Sequence, residues 1–164
     1  MTALMLARLT GAALLTLAGA GLGWSCLECK KQHLALLRAL DTGLGLMAEE
    51  LCALHTPLPQ LFSSLGDRPF FDLLSAGFGS GPVEALWCRA AEAMPLSSEE
   101  QLILKSVAPV IGRYDAQRQA AALSLACRRL RARADEAASE LKGRARSFPG
   151  LGAALGAMAA ALLF

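Results

Sequence analysis

A chain of 164 residues with 54% hydrophobic and 18% charged side chains, and a mean hydropathy of +0.42, is too apolar for an ordinary soluble domain, so part of its surface is expected to face lipid. Setting aside an apolar segment at each end leaves roughly 120 residues, enough for one helical core and too few for a catalytic domain joined to a separate cofactor domain. The formal net charge of +2 hides an asymmetry: residues 30–112 hold six Lys or Arg against nine Asp or Glu, whereas residues 113–146 hold nine against four, which makes the last long helix a basic element.

Arg8 is the only charged residue before Glu28, and the stretch from Leu9 to Leu27 approaches the ~20 apolar residues that a spanning helix needs. A cleaved signal peptide is the rival reading, because Arg8, a short apolar run and Ala18-Gly19-Ala20 imitate its three regions. The run extends past that site, however, and Lys30-Lys31 follow as a stop, so residues 1–28 are expected to form a transmembrane helix. Trp24, near the basic flank, suits an interfacial anchor.

The next segment places Leu37, Leu40, Leu44, Met47, Leu51 and Leu54 at alternating spacings of three and four, the rhythm of a helix with one packing seam. Gly43 and Gly45 weaken such a helix by about 1 kcal/mol each relative to Ala, so packing has to hold it. His55-Thr56-Pro57 predicts a corner, with Thr56 capping and Pro57 opening a helix that carries Leu58, Leu61, Phe62 and Leu65. Gly66 to Pro69 breaks the chain before Phe70-Phe71, and the loop Gly77 to Pro82 leads into a helix burying Val83, Leu86, Trp87 and Ala90.

After Met94-Pro95, Ser97 and Glu100 have the spacing of a capping box, ahead of Leu102, Ile103 and Leu104. Pro109 and Gly112 kink or end that helix. From about Asp115 to Arg146 runs the longest helical stretch, with Leu123, Ala126, Leu130, Ala134, Ala137 and Leu141 on one face. The uncharged segment from Phe148 to Phe164 would rise about 25 Å as a helix, close to the lower limit for a span. Lys142, Arg144 and Arg146 precede it, as Lys30 and Lys31 follow the first span, and both flanks place the middle of the chain in the cytoplasm. Gly19-xxx-Gly23 and Gly152-xxx-Gly156 are small-residue motifs that would let helix backbones approach within the membrane. The expected fold is all-α: an antiparallel helical bundle over 29–147, flanked by transmembrane helices at 1–28 and 148–164.

Converging catalytic groups are not expected, nor is a cofactor or a metal. His33 and His55 are the only histidines and read as surface or capping residues. The glycine loop lacks the Lys of a phosphate-binding loop. Cysteines 52, 88 and 127 fall within apolar helical patterns as small hydrophobes, while Cys26-Leu27-Glu28-Cys29 is a single pair with too few partners for structural zinc, leaving redox work or S-acylation as alternatives. Arg128, Arg129, Arg131 and Arg133 are the candidate partner-binding residues. They read as a solvated helix face, as a surface for anionic lipid or nucleic acid, or as a dock for an acidic protein, and the absence of interleaved aromatics disfavours nucleic acid.

Three segments carry a resemblance. Glu50-Leu51-Cys52-Ala53-Leu54-His55-Thr56-Pro57-Leu58 resembles the Thr-Pro-Leu corner of the stage III sporulation protein AB family. The stretch from Val110-Ile111-Gly112 through Asp115 to Gln119 is similar to that family's Leu-Gly, Asp and Gln pattern, and Leu151-Gly152 to Gly156 resembles its closing run. The resemblance implies a non-enzymatic membrane component of the channel complex between mother cell and forespore in endospore formation. It also implies a soluble domain similar to the cytoplasmic domain of the type II secretion platform protein, and partners that include a secretion-type ATPase, other channel subunits and membrane lipid. The alternative from another class is a membrane-tethered module whose basic helix binds anionic lipid or nucleic acid.

Overall fold

The computed structural model describes residues 2–53, 57–66 and 68–163, with side chains described at 24–25, 27–53, 57–66 and 68–143. Regular structure among them is entirely helical: α1 (Thr2–Ala53), α2 (Leu58–Ser64), α3 (Pro69–Gly77), α4 (Val83–Ala93), α5 (Ser98–Lys105) and α6 (Ala116–Leu163). The chain divides into two compact units, residues 33–136 and the paired ends 1–32 with 137–164.

In the unit formed by 33–136, the seam read on α1 is buried at Leu37, Leu40, Leu44, Met47 and Leu51. It faces Leu123, Ala126, Leu130 and Ala134 of α6, also buried. The two helices run antiparallel, since Asp41 meets Arg131 whereas Cys52, further along α1, shares a groove with Ala120. Among the short helices, each packs on the next from α2 to α5. Their core is aromatic: the Phe70 ring stands edge-on to Phe71 at 5.4 Å and to Trp87 at 5.0 Å, and Trp87 donates its indole N–H to the carbonyl of Leu104 at 2.8 Å. One hydrogen bond therefore ties α4 to the end of α5 inside the core.

The capping box forms as expected. The Glu100 carboxylate accepts the Ser97 N–H at 2.8 Å, and the Ser97 hydroxyl accepts the Glu100 N–H at 3.4 Å. Glu100 also does something the spacing did not reveal: it is only 5% exposed, and its second oxygen lies 3.1 Å from Nε2 of His33 on α1. His33, half-buried, is thus also a partner for a buried carboxylate. Replacing His33 and Glu100 by Ala singly and together should show a coupling of about 1 kcal/mol. Hydrogen exchange of the α5 amides reads it, and additive effects would refute the link.

One boundary differs from expectation. Pro57 is the N-cap of α2, at φ −60° and ψ 140°, not its first residue, because its carbonyl accepts the N–H of Leu61 from outside the helix. Of the three apolar residues after the capping box in α5, only Leu104 is buried; Ile103 is half-buried and Leu102 is 64% exposed, since an eight-residue helix packed on α4 turns a single face inward. The corner after α5 is held by Gly112, at φ +77°, whose N–H donates to the side-chain oxygen of the buried Gln119 at 3.2 Å.

In the unit formed by the paired ends, Lys30 and Glu140 make an ion pair at 3.5 Å, and Trp24 is 72% exposed. The segments read as spans, 1–28 and 148–164, fall within α1 and α6, but most of their side chains, including Cys26 and the glycine motifs, lie outside those described, as do Leu54, His55 and Thr56. Among the described residues no helix is long and apolar enough to cross a membrane.

Candidate functional site

The four arginines lie on α6, but they do not form one patch. Arg128 and Arg131 point to the α1 side of the helix, and Arg129 and Arg133 to the α5 side, as a rotation of 100° per residue requires. The single basic face expected from the sequence is therefore two flanks.

Half of the charge is already engaged. Arg131 donates to Oδ2 of Asp41 from Nε at 3.0 Å and from Nη2 at 2.9 Å, and this hydrogen bond, then the carboxylate's charge, pushes its guanidinium above the ordinary value. Arg133 bridges Glu99 of α5 and Glu136, the latter at 3.1 Å. These two pairs fasten α6 to α1 and to α5. Arg128 and Arg129 are exposed and make no ion pair among the described residues.

Each flank borders a concavity. On the α1 side a groove of about 400 Å³ is floored by small residues, Gly45, Ala48 and Cys52 from one wall and Ala120, Ser124 and Cys127 from the other, with Glu49, Arg128 and Arg131 at its edges. On the α5 side a hollow of about 330 Å³ is lined by Ile103, Arg129, Ala132, Arg133 and Glu136.

The four described cysteines are free thiols, and they differ. Cys127 is buried and hydrogen-bonded to the Asp41 carbonyl at 3.5 Å; burial, then the Asp41 charge, pushes its thiol up from 9.0 to about 11. Cys52 is exposed, not the buried small hydrophobe expected, because it faces the groove rather than the seam. At pH 8, iodoacetamide should therefore label Cys52 and Cys29 and spare Cys127, as peptide mass spectrometry would read; equal labelling would refute this burial. Stability should hold below pH 9 and fall as the pH rises from 9 towards 11, since the unfolded thiol ionises first, and Cys127→Ala should abolish that loss.

No group of three His, Cys, Asp or Glu is placed to hold a metal among the described residues. The model of the family described as Stage III sporulation protein AB matches residues 8–164. The chain belongs to this family. It is a stage III sporulation protein, and the family is not one of known enzymes. No curated protein and no solved structure matches the chain.

The features that carried the resemblance have structural work in this family member. Gly112 and Gln119 form the corner between α5 and α6, with the Gln119 amide also donating to the Tyr114 carbonyl. Glu50 and Leu51 lie in the last turn of α1, where Leu51 is buried. Trp87, after the glycine loop, packs edge-on against Phe70 in the aromatic core. Each of these shapes the helical unit.

Proposed function

We propose that this chain is a membrane-anchored, non-enzymatic component of the channel complex between mother cell and forespore, where its helical domain serves as the platform on which a secretion-type ATPase is coupled to the membrane subunits. The observation that carries the reading is that the family match runs from residue 8 to residue 164, through both uncharged ends as well as the helical unit. In this reading residues 1–28 and 148–164 are the anchors and residues 29–147 the cytoplasmic domain. Lys30, Lys31 and Lys142 with the following arginines hold the domain on the cytoplasmic side of the mother-cell membrane that surrounds the forespore. The exposed Trp24 beside that basic flank suits a headgroup anchor. The resemblance read in the sequence implies a domain similar to that of the type II secretion platform protein, and that expectation is what suggests an ATPase as its partner.

Deletion of the gene should stop spore formation after engulfment, and the tagged full chain should be found in the membrane fraction and co-purify with the ATPase. Normal spores, or a chain confined to the soluble fraction, would reject the reading.

A further inference from the structure

We propose that the α1/α6 groove is a self-association face, on which a second copy of this chain docks with α1 of one copy against α6 of the other. The two edges of the groove carry opposite charge, Glu49 on α1 and Arg128 on α6. On α1, Leu46 is 38% exposed and is followed one turn later by Glu49; on α6, Leu125 is 43% exposed and is followed one turn later by Arg128. Leu46 and Leu125 lie outside the groove's lining, so on each helix the charge stands between the groove and an exposed apolar side chain.

Neither charge is used within the chain: Glu49 and Arg128 make no ion pair among the described residues, whereas the third charged residue of the groove, Arg131, is held by Asp41. An anionic membrane or a uniformly acidic partner would be attracted by Arg128 and repelled by Glu49. A surface that offers one free acid and one free base on opposite walls is complementary to its own image. In the proposed pair a two-fold axis along the groove sets α1 of each copy against α6 of the other, so that Glu49 meets the wall that carries Arg128, which is the condition for a closed isologous pair.

The groove floor favours close approach, since its residues are Gly, Ala, Ser and Cys and a Cβ at Gly45 would meet nothing within 4 Å. The area is sufficient. Residues 33–53 and 116–136 each make about 30 Å of helix, and two adjacent helices span about 20 Å, so a face of roughly 600 Å² per copy clears the total of about 1,000 Å² that a specific interface needs.

Sedimentation of the detergent-solubilised full chain across the micromolar range tests the proposal. The unaltered chain should dimerise, Glu49→Arg and Arg128→Glu should each weaken the dimer about tenfold or more, and the two together should restore it to within about threefold. Glu49→Gln should weaken it less than Glu49→Arg. Unchanged circular dichroism would show that these exposed substitutions leave the fold intact. A chain that stays monomeric, a dimer indifferent to both single reversals, or single losses without recovery in the double variant would each overturn the proposal.

Discussion

Trp87→Ala should open the 33–136 unit more than any other single truncation, at a cost of about 3–5 kcal/mol. Trp87 is the largest of the fully buried side chains, and its ring is the contact through which α4 meets Phe70 of α3. Truncation removes that contact, leaves a cavity beside an aromatic cluster with nothing to fill it, and deletes the N–H donor that ties α4 to the α5 carbonyl. The lost hydrogen bond is the smaller part: the Leu104 carbonyl still accepts the Val107 N–H at 3.2 Å, so Trp87→Phe should cost only about 1–2 kcal/mol. Against a typical domain stability of about 5–15 kcal/mol, the alanine variant would populate open forms readily. Amide exchange in α3, α4 and α5 measures this, and a uniform loss below 1 kcal/mol would show that the aromatic cluster is not what holds the short helices together.

That same residue shows how far a linear reading reaches. The burial of Trp87, of Leu37 to Leu51 along the α1 seam and of Leu123 to Ala134 along the α6 seam follows from helical periodicity, because a helix has one inward face and its spacing is printed in the order of residues, whereas Val83, Ala137 and Leu141, expected on the same faces, are only half-buried. The capping box is equally local, since Ser97 and Glu100 satisfy each other within one turn. What periodicity cannot hold is an encounter between distant positions. His33 and Glu100 are 67 residues apart, and nothing about either marks the other until α1 and α5 are side by side.

The arginines illustrate a subtler loss. Four cations within six positions read as one patch when written on a line, yet 100° of rotation per residue sends them to opposite flanks of α6. Which of them are free is then decided by acids on other helices, Asp41 on α1 and Glu99 on α5. The four arginines therefore do not make one face, and the two that make no ion pair among the described residues are Arg128 and Arg129. Glu49, which gives the groove its second charge, carried no signal because a lone glutamate on an exposed helix face is ordinary.

The two glycines of α1 should respond to substitution with opposite signs. Read as sequence, Gly43 and Gly45 are equal flaws, each costing about 1 kcal/mol of helix stability relative to Ala. In the fold they are different objects. A Cβ at Gly43 would run into the ring edge of Phe71 and would also crowd the Arg68 side chain at 3.2 Å, whereas one at Gly45 would touch nothing. Gly45→Ala should therefore stabilise the unit by up to about 1 kcal/mol through propensity alone. Gly43→Ala gains the same propensity but has to displace a buried aromatic ring that is itself braced edge-on by Phe70, and overpacking of that kind costs about 1–3 kcal/mol. Gly43→Leu, with three further carbons in the same place, should cost about 3 kcal/mol or more. The cause is checkable by compensation: Phe71→Leu, which shortens the obstructing ring, should recover much of the loss in the Gly43→Ala background while being destabilising by itself. If Gly43→Ala and Gly45→Ala behave alike in thermal unfolding, or if Phe71→Leu adds its own cost without relief, then Phe71 does not rest on the bare backbone of α1. In that case the glycine at 43 is only the local weakness that its sequence context describes.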